Sequence, residues 1–105
     1  MNNPFNFLGL ARKANAILIG QDNVLLALQN GYEMYVLISS DVSTTLFRKI
    51  QSKTSTTNST ILKLDLSRDE IGSLLGIRSA SVLAIKKDNP FAEKLKQIEL
   101  CKKNS

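Results

Sequence analysis

The chain has 105 residues, 43% of them apolar and 22% charged, the make-up of a folding domain rather than of a disordered segment. Fourteen Lys and Arg against nine Asp and Glu leave +5 at pH 7, a basic balance that favours RNA, DNA or an anionic membrane surface as partner. With no His and one Cys, His-based proton transfer, Cys/His metal clusters and an intramolecular disulfide are all excluded.

The N-terminal "MNNPFNFLGLARKANAILIG" has no cationic stretch ahead of its apolar residues, and Arg12 with Lys13 interrupts them, so no export signal is expected. No apolar run approaches the roughly 18 residues of a membrane helix. A reducing cytoplasm is the expected compartment. Asn3 and Pro4 open a first helix whose stripe reads Phe7, Leu10, Ala11 and Ala14. "AILI", Ala16 to Ile19, is a short buried strand ending at Gly20. A second helix starts within Gln21 to Asn23 and stops at Gly31, and "MYVLIS", Met34 to Ser39, is an interior strand.

Asp41 or a neighbouring Ser caps a third helix with Leu46, Phe47 and Ile50 inward. "KTSTTNST", Lys53 to Thr60, reads as a polar loop before the strand "TILKL". Ser67 and Glu70 form a capping box, Ile71, Leu74 and Leu75 a stripe, and Gly76 the end of a short fourth helix. "SVLAI", Ser81 to Ile85, is a further buried strand; Asn89 and Pro90 then open a last helix on Phe91, Leu95 and Ile98, with "CKKNS" fraying. Five helices alternating with four mostly apolar strands predict one domain over residues 1–105, an α/β three-layer α/β/α sandwich on a four-stranded mixed sheet.

Nothing in this pattern supports catalysis. Cys101 has no His base, the carboxylates are scattered, and "GSLLGIRS" lacks the Gly-Lys-Ser/Thr ending of a phosphate loop, so its glycines are assigned to helix packing and termination. No cofactor or metal is expected. Binding surfaces are more visible. With Val24 at zero on a helical wheel, Leu28, Leu25 and Ala27 fill the inner arc while Leu26 falls at roughly 200°, beside Asp22 and Gln29. Either Leu26 is one more exposed leucine, or Gly20, Gln21, Asp22, Asn23 and Leu26 form a contact surface where the helix start offers free N–H groups. The loop "LGIRSAS" presents the same choice: Ile77 is a core residue and Arg78 a solvated charge, or the pair, with Ser79, covers an unstacked base and its phosphate. Arg12 and Lys13 lie off the buried stripe and are available to the same ligand.

Four segments, "LGLARKANAILIGQDNVLLALQNG", "YVLISSDVSTTLFRKI", "IGSLLGIRSASVLAI" and "FAEKL", together resemble the ribosomal protein superfamily that binds RNA kink-turns, most closely its bacterial YlxQ-like branch. The likeness spans nearly the whole chain in order. It implies the same sandwich, with an RNA surface made by the first strand-to-helix corner and the loop before the last strand. The family's Gly-x-Asn-Glu-x-x-Lys corner falls on Gly20 to Leu26, where only the glycine is identical. Asp22 and Asn23 keep polar groups where relatives read sheared G·A pairs, Leu26 replaces a cation, and Ser43 stands where an acidic residue often grips an extruded base. Arg12, Lys13, Arg68 and Arg78 would compensate. The expectation is a monomeric, non-catalytic protein binding structured RNA, a kink-turn or related internal loop, with ribosomal RNA a candidate and no membrane. The fold also serves as the substrate-binding part of RNA ribose methyltransferases, but these 105 residues read as the binding domain alone, so a stand-alone methyltransferase is not expected. The remaining alternative is a protein-interaction module using the Leu26 face.

Overall fold

The computed structural model describes residues 5–103, with side chains through residue 98. In chain order the elements are α1 (Leu8–Lys13), β1 (Leu18–Ile19), α2 (Gln21–Gln29), β2 (Met34–Ile38), α3 (Thr44–Thr54), β3 (Thr60–Lys63), α4 (Arg68–Leu75), β4 (Val82–Lys86) and α5 (Ala92–Lys103). The sheet order is β1-β4-β2-β3. Strand β4 runs antiparallel to both β1 and β2, and β3 pairs parallel with β2, so the sheet is mixed as expected.

Helices cover both faces. Met34, Val36 and Ile38 of β2 pack with Val82, Ala84, Val24, Leu28 and Ile50 in a core beneath α2 and α3. Tyr35 and Leu37 point the other way, into a core with Leu8, Ala11, Leu62, Ile71, Leu83, Ile85 and Leu95 beneath α1, α4 and α5. Period-two alternation in a strand buried on both sides explains why β2 reads as an unbroken apolar run.

Three helices end alike. Asn15, Gly31 and Gly76 have positive φ, and the residue after each donates to a carbonyl five residues back: Ala16 to Ala11 at 2.9 Å, Tyr32 to Ala27 at 3.2 Å, Ile77 to Gly72 at 2.9 Å. These are Schellman closures, which turn the next side chain back onto the helix they end.

Several boundaries differ from expectation for local reasons. The Asn3 and Pro4 helix start lies outside the described residues; α1 begins at Leu8 and buries Leu8 and Ala11, with Phe5 and Phe7 buried in the turn before it. Leu10, 64% exposed, and Ala14 face out, because Phe5 and Leu8 set the phase of this short helix. Closure through Asn15 and Ala16 delays β1 to two paired residues. Of the two caps expected for α3, the neighbouring Ser is the one used: Ser43 Oγ accepts from Leu46 N–H at 3.1 Å. Lys53 and Thr54 belong to α3, and the hydroxyls of Thr54, Ser55 and Thr56 donate to carbonyls three residues back, so the polar stretch winds up instead of extending. Helix α5 continues to Lys103, past the expected fraying at Cys101.

Candidate functional site

The ends of β1, β2 and β3 and the start of β4 meet at one edge of the sandwich. Gly20 N–H donates to Val82 O at 3.0 Å, Ser39 N–H to Ser81 O at 2.9 Å, Ser40 N–H to Leu66 O at 2.8 Å and Ala80 N–H to Arg68 O at 3.0 Å. This chain of backbone bonds brings four connections together: the Gly20 corner, the Ser39–Ser43 turn, the approach to α4 and the Ile77–Ser81 loop.

Gly20 caps α2 without a side chain. Its φ of 95° and ψ of 151° lie in a region essentially reserved for glycine, and open space surrounds its Cα. The first-turn N–H groups of Gln21, Asp22 and Asn23, all exposed residues, therefore face outward with no capping side chain over them. Asn23 Nδ2 donates to Ile19 O at 2.9 Å, which ties the amide to the β1 edge and leaves its Oδ1 turned from that bond. Leu26 is 57% exposed on the outer side of the same helix.

Across the Val82 bond, the Ile77–Ser81 loop is held against α4. Closure at Gly76 draws Ile77 partly into the core beneath α1 and α4, so it is half-buried, between the core and surface positions expected for it. Arg78 and Ser79 are exposed. Their backbone rests on Gly72: a Cβ there would lie 2.6 Å from Ser79 Cα and 2.7 Å from Arg78 C and O. The two glycines of "GSLLG" do serve packing and termination.

The cations divide into held and free. Arg12 Nη1 donates to Leu75 O at 3.2 Å, placing a guanidinium on the negative end of α4. Lys13 is exposed beside it, and both line a shallow depression with Asn15, Ile19 and Asn23 that reaches the corner. Arg68 is engaged by Asp41 in three ways: backbone N–H to Oδ1 at 3.1 Å, Nε to Oδ2 at 3.4 Å and Nη2 to the Asp41 carbonyl at 3.0 Å. Such a clamp competes with a phosphate for Arg68. The neighbouring Ser39 hydroxyl, foremost, holds the Asp41 carboxyl below its ordinary pKa; desolvation, next in size, opposes it, and the backbone N–H and charge of Arg68 add smaller lowering effects. Ser39 is fully buried, and its Oγ completes no hydrogen bond of standard geometry among the described residues, so its influence on Asp41 is one of proximity.

Sequence reasoning missed the Asp41–Arg68 clamp and a pairing of Tyr32 with Lys86, whose Nζ stands 4.0 Å from the ring centroid. A capping signal did mark Asp41, but nothing local links residues 27 or 54 positions apart.

Fold and site define a small α/β/α binding domain whose exposed polar edge is built from backbone amides and arginines. No protein-family model matches the chain. It is 31% identical over 91 residues to the RNA-binding protein YlxQ of Bacillus subtilis (strain 168), spanning 87% of this chain and 89% of that one. The chain belongs to the YlxQ-like family of RNA-binding proteins. A solved Bacillus halodurans C protein of unknown function superposes with a TM-score of 0.81 at 28% identity, covering 92% of this chain and 96% of that one. A Giardia lamblia 15.5kD RNA binding protein reaches 0.71 at 15% identity over 90% of this chain and 79% of its own, a likeness of fold alone.

Proposed function

We propose that this protein binds structured RNA without catalysis, in the cytoplasm and in association with ribosomal or similarly folded RNA. The observation that carries this reading is the direct bond between the Gly20 corner and Val82, which seats the uncapped start of α2 against the first residue of β4, the strand into which the Ile77–Ser81 loop and its exposed Arg78 lead. A distorted internal loop of the kink-turn type suits that surface: its displaced backbone approaches Gly20 closely, the edges of its bases meet Asp22 and Asn23, and its phosphates take Arg78 and Lys13. Family membership through a relative named as RNA-binding supports the same ligand class.

Titration of a kink-turn RNA against a straight duplex of equal length tests this. The kink-turn should bind at least about tenfold more tightly, and log affinity should fall linearly with log salt. Equal weak binding to both removes the specific reading. The exposed Leu26 favours a second reading, a protein-interaction module, and a Leu26→Lys variant separates the two. Under the RNA reading a new cation on this face raises affinity for a kink-turn that has no unpaired extension, by about threefold or more; a protein partner lost on the same change, with RNA affinity unmoved, supports the module.

A further inference from the structure

Beside the corner runs an open groove of about 210 Å³ whose lining includes Asn23, Leu26, Asn30, Tyr32 and Lys86. Closure at Gly31 folds Tyr32 back toward Ala27, so its ring stands beside α2 with 47% of the residue exposed. Lys86, at the end of β4, places its ammonium 4.0 Å from the centre of that ring.

We propose that this groove holds one unpaired nucleotide of the RNA seated at the Gly20 corner, its base against Leu26 and Tyr32 and its phosphate at Lys86. The inference rests on the RNA-binding reading above. Continuity is the first argument, since Asn23 belongs to both the corner and the groove. Chemistry is the second. Leu26 offers nothing to a phosphate, yet with a half-exposed tyrosine it makes an apolar and aromatic wall that every nucleobase can meet, while the amides of Asn23 and Asn30 suit base edges. Scale is the third, because of the four apolar residues that line the groove, Leu18, Leu26, Ala27 and Tyr32, only Leu26 and Tyr32 are exposed, far short of the roughly 800 Å² per partner that a stable protein interface buries. Beyond Tyr32 the surface turns mixed, with Glu33 and Asp88 beside Lys86 and Lys87. Carboxylates there repel a continuing backbone, which limits the groove to a single nucleotide.

The test uses the full chain and kink-turn RNAs that carry or lack a short unpaired adenosine extension at either helix end. Tyr32→Ala should weaken binding of one extended RNA by about tenfold and leave the trimmed RNA unchanged. Tyr32→Phe should restore the affinity, and Lys86→Gln should lower it while reducing the salt slope by about one. The hydrogen bonds at residue 32 are made by its backbone, so these variants keep the Gly31 closure. If Arg78→Ala weakens all the RNAs while the Tyr32 and Lys86 variants weaken none, the RNA reading stands and the groove assignment falls. Failure of the unaltered chain to bind any of the RNAs overturns both. Retention of a protein partner that survives ribonuclease and is lost in Tyr32→Ala assigns the groove to protein and overturns the inference.

Discussion

Gly20 carries its corner with backbone alone, and the cost of a side chain there can be anticipated. A Cβ at this position meets nothing within 4 Å, so Gly20→Ala acts through dihedral strain at φ 95°, about 1–3 kcal/mol, and not through a clash. Denaturant unfolding should show that loss, and RNA affinity should fall with it, because relaxation of the strain moves the first-turn amides. Asp41 gives a pH dependence of known sign. Its carboxyl is depressed in the folded chain, so its contribution is present above about pH 4 and is lost as pH falls through the lower folded value. Thermal melts from pH 6 to pH 2 should therefore show a smaller acid loss in Asp41→Asn than in the unaltered chain. Equal losses contradict the assigned role. Residues governed by their own element were legible: Leu26 outward from a 100° step, Ser43 and Ser67 as caps. Arg12 was not, because its acceptor, Leu75 O, lies 63 positions away.

Helix α4 shows how an element positions the site. Its capping box is reciprocal, Ser67 Oγ accepting from Glu70 N–H at 3.2 Å and Glu70 Oε1 from Ser67 N–H at 2.9 Å, while Asp41 and Arg12 act on its two ends. Gly72 then decides how closely the Ile77–Ser81 loop lies on it. Alanine is the better helix former by about 1 kcal/mol. A Cβ 2.6–2.7 Å from the backbone of Arg78 and Ser79 demands movement of main chain, for which overpacking of about 1–3 kcal/mol is typical. The clash outweighs the propensity, so Gly72→Ala should lower the melting temperature and weaken RNA binding together; a stabilised variant refutes this packing. Capping boxes and terminal glycines are local chemistry, and α4 was readable to within a residue for that reason. The phase of α1 was not, since Leu8 to Lys13 is too short for periodicity to decide between Leu10 and Leu8.

At the scale of the molecule, the layers follow from apolar runs that only a doubly covered sheet can bury. The strand order β1-β4-β2-β3 has no such local signature, yet it creates the site: β4 lies between β1 and β2, and so sets its leading loop between the Gly20 corner and the Ser39–Ser43 turn. Resemblance to a family supplied that juxtaposition; periodicity alone left it open. Its most direct test is amide NMR of the labelled chain during addition of a kink-turn RNA. The account predicts shifts concentrated at residues 20–23 and 77–81, with the outer faces of α3 and α5 unmoved. Shifts centred on those outer faces, or spread evenly over the cationic surface, would contradict it.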